Sequence, residues 1–167
     1  QDYYRRDATV IHPPVEDVFF SESVASTRKD YFLLAGAWVP YKGFELAIEA
    51  CMLVGQKVVV AGSGPLAKKL KAIEKKYGNE RVQIVERPPQ DQWIQLMREA
   101  RGFLFPQVED FGIVAAESLA LGTPVVAFAR GGSRDMVTEG KNGIFFTEQT
   151  AVSMSSALQH FLTREWD

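Results

Sequence analysis

The sequence predicts a doubly wound α/β domain: a Rossmann-like parallel sheet of about six strands, with helices on both faces in three layers. Two observations predict it. Short apolar runs alternate with longer segments whose apolar residues recur at i, i+3, i+4 and i+7, the pattern that βαβ crossovers produce. Most of the short runs are also continuous, as in Lys57 to Ala61 (KVVVA), which suits strands covered on both faces.

The elements follow in order. Thr9-Val10-Ile11 has the composition of a short strand, and Pro13-Pro14 would stop it, because proline donates nothing to a ladder. Tyr31 to Ala35 is the first strand of the sheet, followed by a loop from Gly36 to Gly43. Phe44, Ala47, Ile48 and Cys51 then fall at helical spacing. Lys57 to Ala61 is the second strand, and a Gly-Ser-Gly-Pro turn leads into a helix with Leu66, Leu70, Ile73 and Tyr77 on one side. Arg81 to Val85 is the third strand, ended by Pro88-Pro89. Asp91 suits an N-cap, since Trp93, Leu96, Met97 and Ala100 follow at helical spacing. Gly102 to Pro106 and Pro124 to Ala129 are the fourth and fifth strands, with a helix from Gly112 between them. Gly131-Gly132 opens a short polar helix, Gly140 to Gly143 is a turn, and Ile144 to Phe146 is the last strand. Met154, Ala157, Leu158, Phe161 and Leu162 mark the final helix.

Composition bounds the function. A chain of 167 residues with 46% apolar and 24% charged residues is one ordinary globular domain. A net charge of −2 argues for neither nucleic acid nor an anionic membrane as partner. The single cysteine, Cys51, excludes an internal disulfide framework, and its apolar helical position reads as a packed thiol. No apolar run reaches membrane-spanning length and QDYYRRD is no signal peptide, so the cytoplasm is the expected location. His12 and His160 read as structural or exposed. There is no Ser/His/Asp set, no metal-ligand spacing and no nucleophile elbow, and no cofactor is called for.

The stretch from Gly102 to Ala129 carries the chemistry. Its three charges, Glu109, Asp110 and Glu117, have no Lys or Arg within it. Glu109 and Asp110 fall in a loop, where solvent explains them. Glu117 has Ile113, Val114, Ala120 and Leu121 three and four residues away, so it either snorkels to water or is held by a hydrogen-bonding partner such as a polyol. Ligands of such sheets bind beyond the carboxyl ends of the strands. There Gly112 permits close approach of the backbone, and the Ile113 and Val114 amides are first-turn donors suited to a phosphate. Lys42 lies in the neighbouring loop, as an opposing cation or a solvated lysine, and Arg87 and Arg130 end loops at the same face. A rival is a dinucleotide site for NAD or FAD. Gly62-Ser63-Gly64-Pro65-Leu66-Ala67 fits G-x-G-x-x-A, with Glu86 at the end of the next strand. Against it, Pro65 removes an amide from the turn, and the motif follows the second strand.

These residues resemble a known family. Glu109-Asp110-Phe111-Gly112-Ile113-Val114-Ala115-Ala116-Glu117 is similar to the Glu, seven residues, Glu signature of retaining glycosyltransferases of family 4. Ala35 to Gly43 resembles that family's Gly-Arg…Lys-Gly loop, and Ala61 to Pro65 its Gly-x-Gly-Pro turn. Gly122 to Val126 and Gly131-Gly132 through Gly143 resemble its closing pattern, and His12-Pro13-Pro14-Val15 its interdomain strand. The resemblance covers nearly the whole chain. It implies the C-terminal half of a two-domain GT-B enzyme, with residues 1–16 as the interdomain linker and residues 17–167 as the donor nucleotide-sugar domain. The N-terminal acceptor domain would lie outside the chain, and the chain alone would be inactive.

By the same resemblance Lys42 would neutralise the donor diphosphate with help from Gly36 and the amides of Gly112, Ile113 and Val114. Glu117 would grip the ribose, Glu109 the sugar or its departing phosphate, with Phe111 beside it, and Glu86 and Arg87 would lie against the base. Val39-Pro40-Tyr41-Lys42 looks like mannosyltransferases of surface polysaccharides, which favours GDP-mannose as donor and a glycan or lipid-linked acceptor. The full-length enzyme would be cytoplasmic or peripheral at the inner membrane surface. One position departs from the family: Ala37 stands where an Arg is usual, so that either Arg87, Arg130 or a metal supplies the second cation or turnover is slow.

Overall fold

Six apolar runs form six parallel strands because each crossover is long enough to carry the chain back over the sheet. The computed structural model describes residues 9–21 and 27–166. In chain order the elements are α1 (Val18–Ser21), β1 (Phe32–Ala37), a 3-10 turn (Pro40–Lys42), α2 (Phe44–Leu53) and β2 (Val58–Ser63). Then come α3 (Ala67–Tyr77), β3 (Val82–Glu86), α4 (Gln90–Glu99), β4 (Gly102–Phe105) and α5 (Ile113–Ala120). The chain continues through β5 (Val125–Phe128), α6 (Ser133–Met136), β6 (Gly143–Phe146) and α7 (Ala151–Leu162). The sheet order is β3-β2-β1-β4-β5-β6, and every neighbouring pair is parallel. This is the doubly wound order in which chain direction across the sheet reverses between β1 and β4.

The continuous strands are two-faced. Phe32, Leu34, Val58, Val60 and Val126 pack under α2, α3 and α7, while Leu33, Ala35, Val59, Ala61 and Val125 pack under α4, α5 and α6. Burial of a valine or leucine side chain contributes about 1.5–3 kcal/mol, so alternate residues of one run stabilise opposite layers.

Local chemistry sets the boundaries. Thr9-Val10-Ile11 is not a strand: Val10 and Ile11 stand exposed and no ladder receives them among the described residues. Asp91 is not the cap of α4. Pro89, in extended geometry, holds that position, and Asp91 sits in the first turn, where its charge faces the positive helix end. Leu66 caps α3 instead of lying within it, with its amide on the Trp38 carbonyl. Residues 1–8 of the expected linker lie outside the described residues, and no described helix is long and apolar enough to cross a membrane.

Candidate functional site

The two loops flanking the reversal point meet. Pro40 opens the 3-10 turn after β1, Lys42 closes it, and Gly43 in the left-handed region (φ 66°) turns the chain into α2. A Cβ at Gly43 would lie 3.3 Å from the Pro106 ring, so the β1 loop packs directly on the β4 loop. This contact brings Lys42 Nζ to 2.8 Å from Glu109 Oε1, with the side chains only 11% and 19% exposed. The ammonium also lies over Gly36, where a Cβ would be 3.4 Å from Nζ. A cation and a carboxylate far apart in sequence therefore bridge the crevice where doubly wound sheets take their ligands.

The loop holding Glu109 is fixed on several sides. Its backbone carbonyl accepts from the Gly132 amide at 2.8 Å, and the Gln107 side-chain amide reaches Oε1 at 3.4 Å. Gly131 and Gly132 have no room for a side chain, because a Cβ on either would lie 2.4 Å from a backbone oxygen of residues 109–111. Ser133 is buried and its hydroxyl is shared between the Phe128 and Arg130 carbonyls, which ties the β5 loop to itself. Gly112 (φ 93°) bends into α5 over the Phe105 ring. The Ile113 and Val114 amides carry no intramolecular hydrogen bond among the described residues, leaving two donors at the start of α5. His12 stacks on Phe111, ring centres 5.2 Å apart, so the leader segment lies against this loop, a placement that no periodicity signals.

Glu117 lies one turn further along α5. Burial raises its pKa above the ordinary carboxylate range, the Trp93 indole N–H opposes that shift, and the like charge of Glu16 adds to it. It makes no direct contact with Lys42 or Glu109. Trp93, with Gly36, Ala37, Gly62, Ser63, Arg87 and Pro88, lines an open cleft of about 450 Å³ at the ends of β1, β2 and β3. Gly36 is thus common to the cleft and to the ion pair. Arg87 shares the cleft with Ala37 and has the only positive φ (51°) of a non-glycine among the described residues. Arg130 sits elsewhere, at the end of β5 over the Phe128 ring. The Glu86 side chain is not brought to the cleft: it pairs with Lys71 of α3, whose hydrogen bond and charge hold its pKa below the ordinary range.

The glycines of the rival motif have a packing role. A Cβ on Gly62 (φ 139°) would lie 1.9 Å from the Gly36 carbonyl oxygen, and one on Gly64 (φ 155°) within 2.9 Å of three Trp38 backbone atoms. Trp38 also donates to the Ser63 carbonyl and accepts from the Leu66 amide, so the β1 continuation fills this turn. Gln107 carries no site role in the sequence, and Trp93 reads there only as a core residue. A buried amide beside an acid, and an indole on an otherwise aliphatic helix stripe, were the available signals. The Cys51 thiol is fully buried, and burial raises its pKa.

The chain is similar to known glycosyltransferases. It is 27% identical over 137 residues to the uncharacterized glycosyltransferase MJ1178 of Methanocaldococcus jannaschii, covering 81% of this chain and 39% of that protein. It is 29% identical over 174 residues to D-inositol 3-phosphate glycosyltransferase of Mycobacteroides abscessus, covering 93% of this chain and 39% of that one. Among solved structures, the catalytic domain of starch synthase IV from Arabidopsis thaliana, bound to ADP and acarbose, superposes with a TM-score of 0.72. At 19% identity, covering 90% of this chain and 34% of that one, it bears on the fold alone. The chain spans about two-fifths of the length of the two curated relatives. Residues 15–166 match the glycosyl transferases group 1 model, and the chain belongs to that family.

Proposed function

We propose that residues 17–167 are the donor-binding domain of a retaining GT-B glycosyltransferase. Residues 1–16 lead in from an N-terminal acceptor domain outside this sequence. The donor is a nucleoside diphosphate sugar, with GDP-mannose favoured by the resemblance of Val39 to Lys42 to mannosyltransferases. The acceptor is a glycan or a lipid-linked sugar, and the full-length enzyme works in the cytoplasm or at the inner membrane surface. The observation that carries this reading is the Lys42–Glu109 bridge across the β1/β4 crevice, in the loop that runs into the unpaired amides of Ile113 and Val114.

In the reaction the bond from C1 of the sugar to the diphosphate breaks and a bond from the acceptor hydroxyl oxygen to C1 forms on the same face. The hydroxyl proton leaves with the diphosphate. Negative charge grows on that leaving group, and fixed donors placed to meet it lower the barrier. Lys42 and the Gly112, Ile113 and Val114 amides supply them, and Gly36 leaves room for the phosphates. Arg87, in the cleft beside Ala37, provides the second cation. Glu117, positioned by Trp93, accepts from ribose hydroxyls, and Glu109, beside Phe111, holds the sugar. Glu86 braces the base-facing loop through Lys71. The two acids are not the acid–nucleophile pair of a glycosidase.

Calorimetric titration of the chain with GDP, UDP, ADP and NAD tests this. GDP is expected to bind most tightly and Glu117→Ala to weaken it, whereas binding of NAD alone would contradict the reading. The chain by itself is expected to bind donor weakly and transfer no sugar. Turnover of an acceptor at the rate of two-domain enzymes would overturn the division of labour.

A further inference from the structure

Gln107 follows β4 and is 4% exposed, a primary amide largely removed from water. An unpartnered buried amide is destabilising, so its hydrogen bonds define its role. Its Nε2 reaches Glu109 Oε1, the oxygen that also receives Lys42 Nζ. Glu109 Oε2 has no partner among the described residues. The path of the loop is secured by other contacts: the Gly132 amide on the Glu109 carbonyl, and Gln149 Nε2 on the Pro106 carbonyl at 3.0 Å. The main chain of the loop thus has anchors other than Gln107. The Gln107 contact falls on the carboxylate itself.

We infer that Gln107 is a positioning residue: with Lys42 it holds Glu109 by one oxygen, so that the other faces the hydroxyls of the transferred sugar. This rests on the reading of the crevice as a nucleotide-sugar site. An unpaired carboxylate oxygen, on a side chain only 19% exposed, is suited to accept from a polyol. A carboxylate with both oxygens engaged by protein would serve structure alone. Without the Gln107 amide the Glu109 side chain rotates about the lysine contact, and the sugar loses its acceptor while the nucleoside diphosphate loses nothing.

The test compares dissociation constants for GDP-mannose and GDP in wild type and in Gln107→Met, which keeps the volume and removes the amide. The advantage of the sugar nucleotide over the bare diphosphate is expected to fall about tenfold or more, the scale of a lost charge-assisted hydrogen bond, with GDP affinity unchanged. Gln149→Met, which loosens the loop without touching Glu109, is expected to leave that ratio as it is. Gln107→Asn, too short to reach Glu109, is the second variant and is expected to behave as Gln107→Met. An unchanged ratio, or equal loss of both ligands, overturns the inference and leaves the nucleotide-sugar reading standing. A wild-type chain that binds no nucleoside diphosphate overturns both. If UDP binds more tightly than GDP, the base assignment fails, and the same ratio measured with UDP-glucose and UDP decides on Gln107.

Discussion

Replacing Lys42 with methionine removes the charge at the crevice and keeps most of the stem. The ammonium is 2.8 Å from Glu109 Oε1 and the two side chains are 11% and 19% exposed, so little water screens the interaction. Two unit charges 4 Å apart attract by about 4 kcal/mol at an effective dielectric constant near 20, and this pair lies between an exposed one, worth about 0–1 kcal/mol, and a fully buried one, where loss of one partner costs about 3–5 kcal/mol. Lys42→Met should therefore destabilise the fold by about 2 kcal/mol, because Glu109 keeps only the long Gln107 contact. The double variant Lys42→Met/Glu109→Gln should lose less, since no carboxylate is stranded. For ligand binding the same lysine meets the diphosphate, and loss of about 2 kcal/mol is roughly a 30-fold rise in Kd for GDP. Glu109→Gln should act in the opposite direction on GDP, tightening it about threefold, because the lysine no longer shares its charge. Urea unfolding gives the stabilities and calorimetry the affinities. A Lys42→Met chain that binds GDP within a factor of about two of wild type would refute the reasoning.

Three further outcomes follow from the geometry. Burial raises the Glu117 pKa, so the folded state holds this proton more tightly than the unfolded chain. Its contribution to stability is complete below the ordinary glutamate pKa and is lost as pH rises through the raised folded value. Glu117→Gln should thus exceed wild type in stability at neutral pH, the gap closing toward pH ~4, while nucleotide binding weakens. A gap independent of pH in urea titrations would contradict this. Gly62→Ala forces a Cβ against the Gly36 carbonyl, 1.9 Å away and part of the backbone, and should cost about 3 kcal/mol or leave the chain unfolded; thermal unfolding measures it, and a loss under about 1 kcal/mol would contradict the packing. Arg87→Gly relieves a left-handed backbone and should raise stability by about 1 kcal/mol while weakening GDP binding; a variant no more stable than wild type by urea unfolding would show that the site is unstrained.

The sheet was legible because of how its strands are covered. A run such as Val58 to Ala61 needs apolar residues on both faces, and only strands between two helical layers have that requirement. Boundaries depended on finer contacts. The Tyr31 hydroxyl donates to the Leu96 carbonyl and its amide to Lys29, so the ladder begins at Phe32. Asp91 looks like a cap, yet the extended Pro89 takes the position. In the site, the spacing of Glu109 and Glu117 could be read directly, but the partners of each could not. Lys42 reaches Glu109 only because β1 and β4 are neighbours, a consequence of sheet order that local periodicity does not encode. Trp93 sits at a core spacing on α4, and nothing nearby in sequence announces an acid on α5 as its partner. Gly132 acts through a contact across loops, which neither propensity nor spacing encodes, and the Gln107–Glu109 contact, though only two residues apart, depends on a burial that the sequence does not announce.

The most direct test is a crystal structure of the chain with GDP bound. The diphosphate should lie within hydrogen-bonding distance of Lys42 Nζ and of the Ile113 and Val114 amides, with the ribose hydroxyls on Glu117. A nucleotide seated instead on the turn at Gly62 to Pro65, with the Lys42–Glu109 contact untouched, would contradict the assignment.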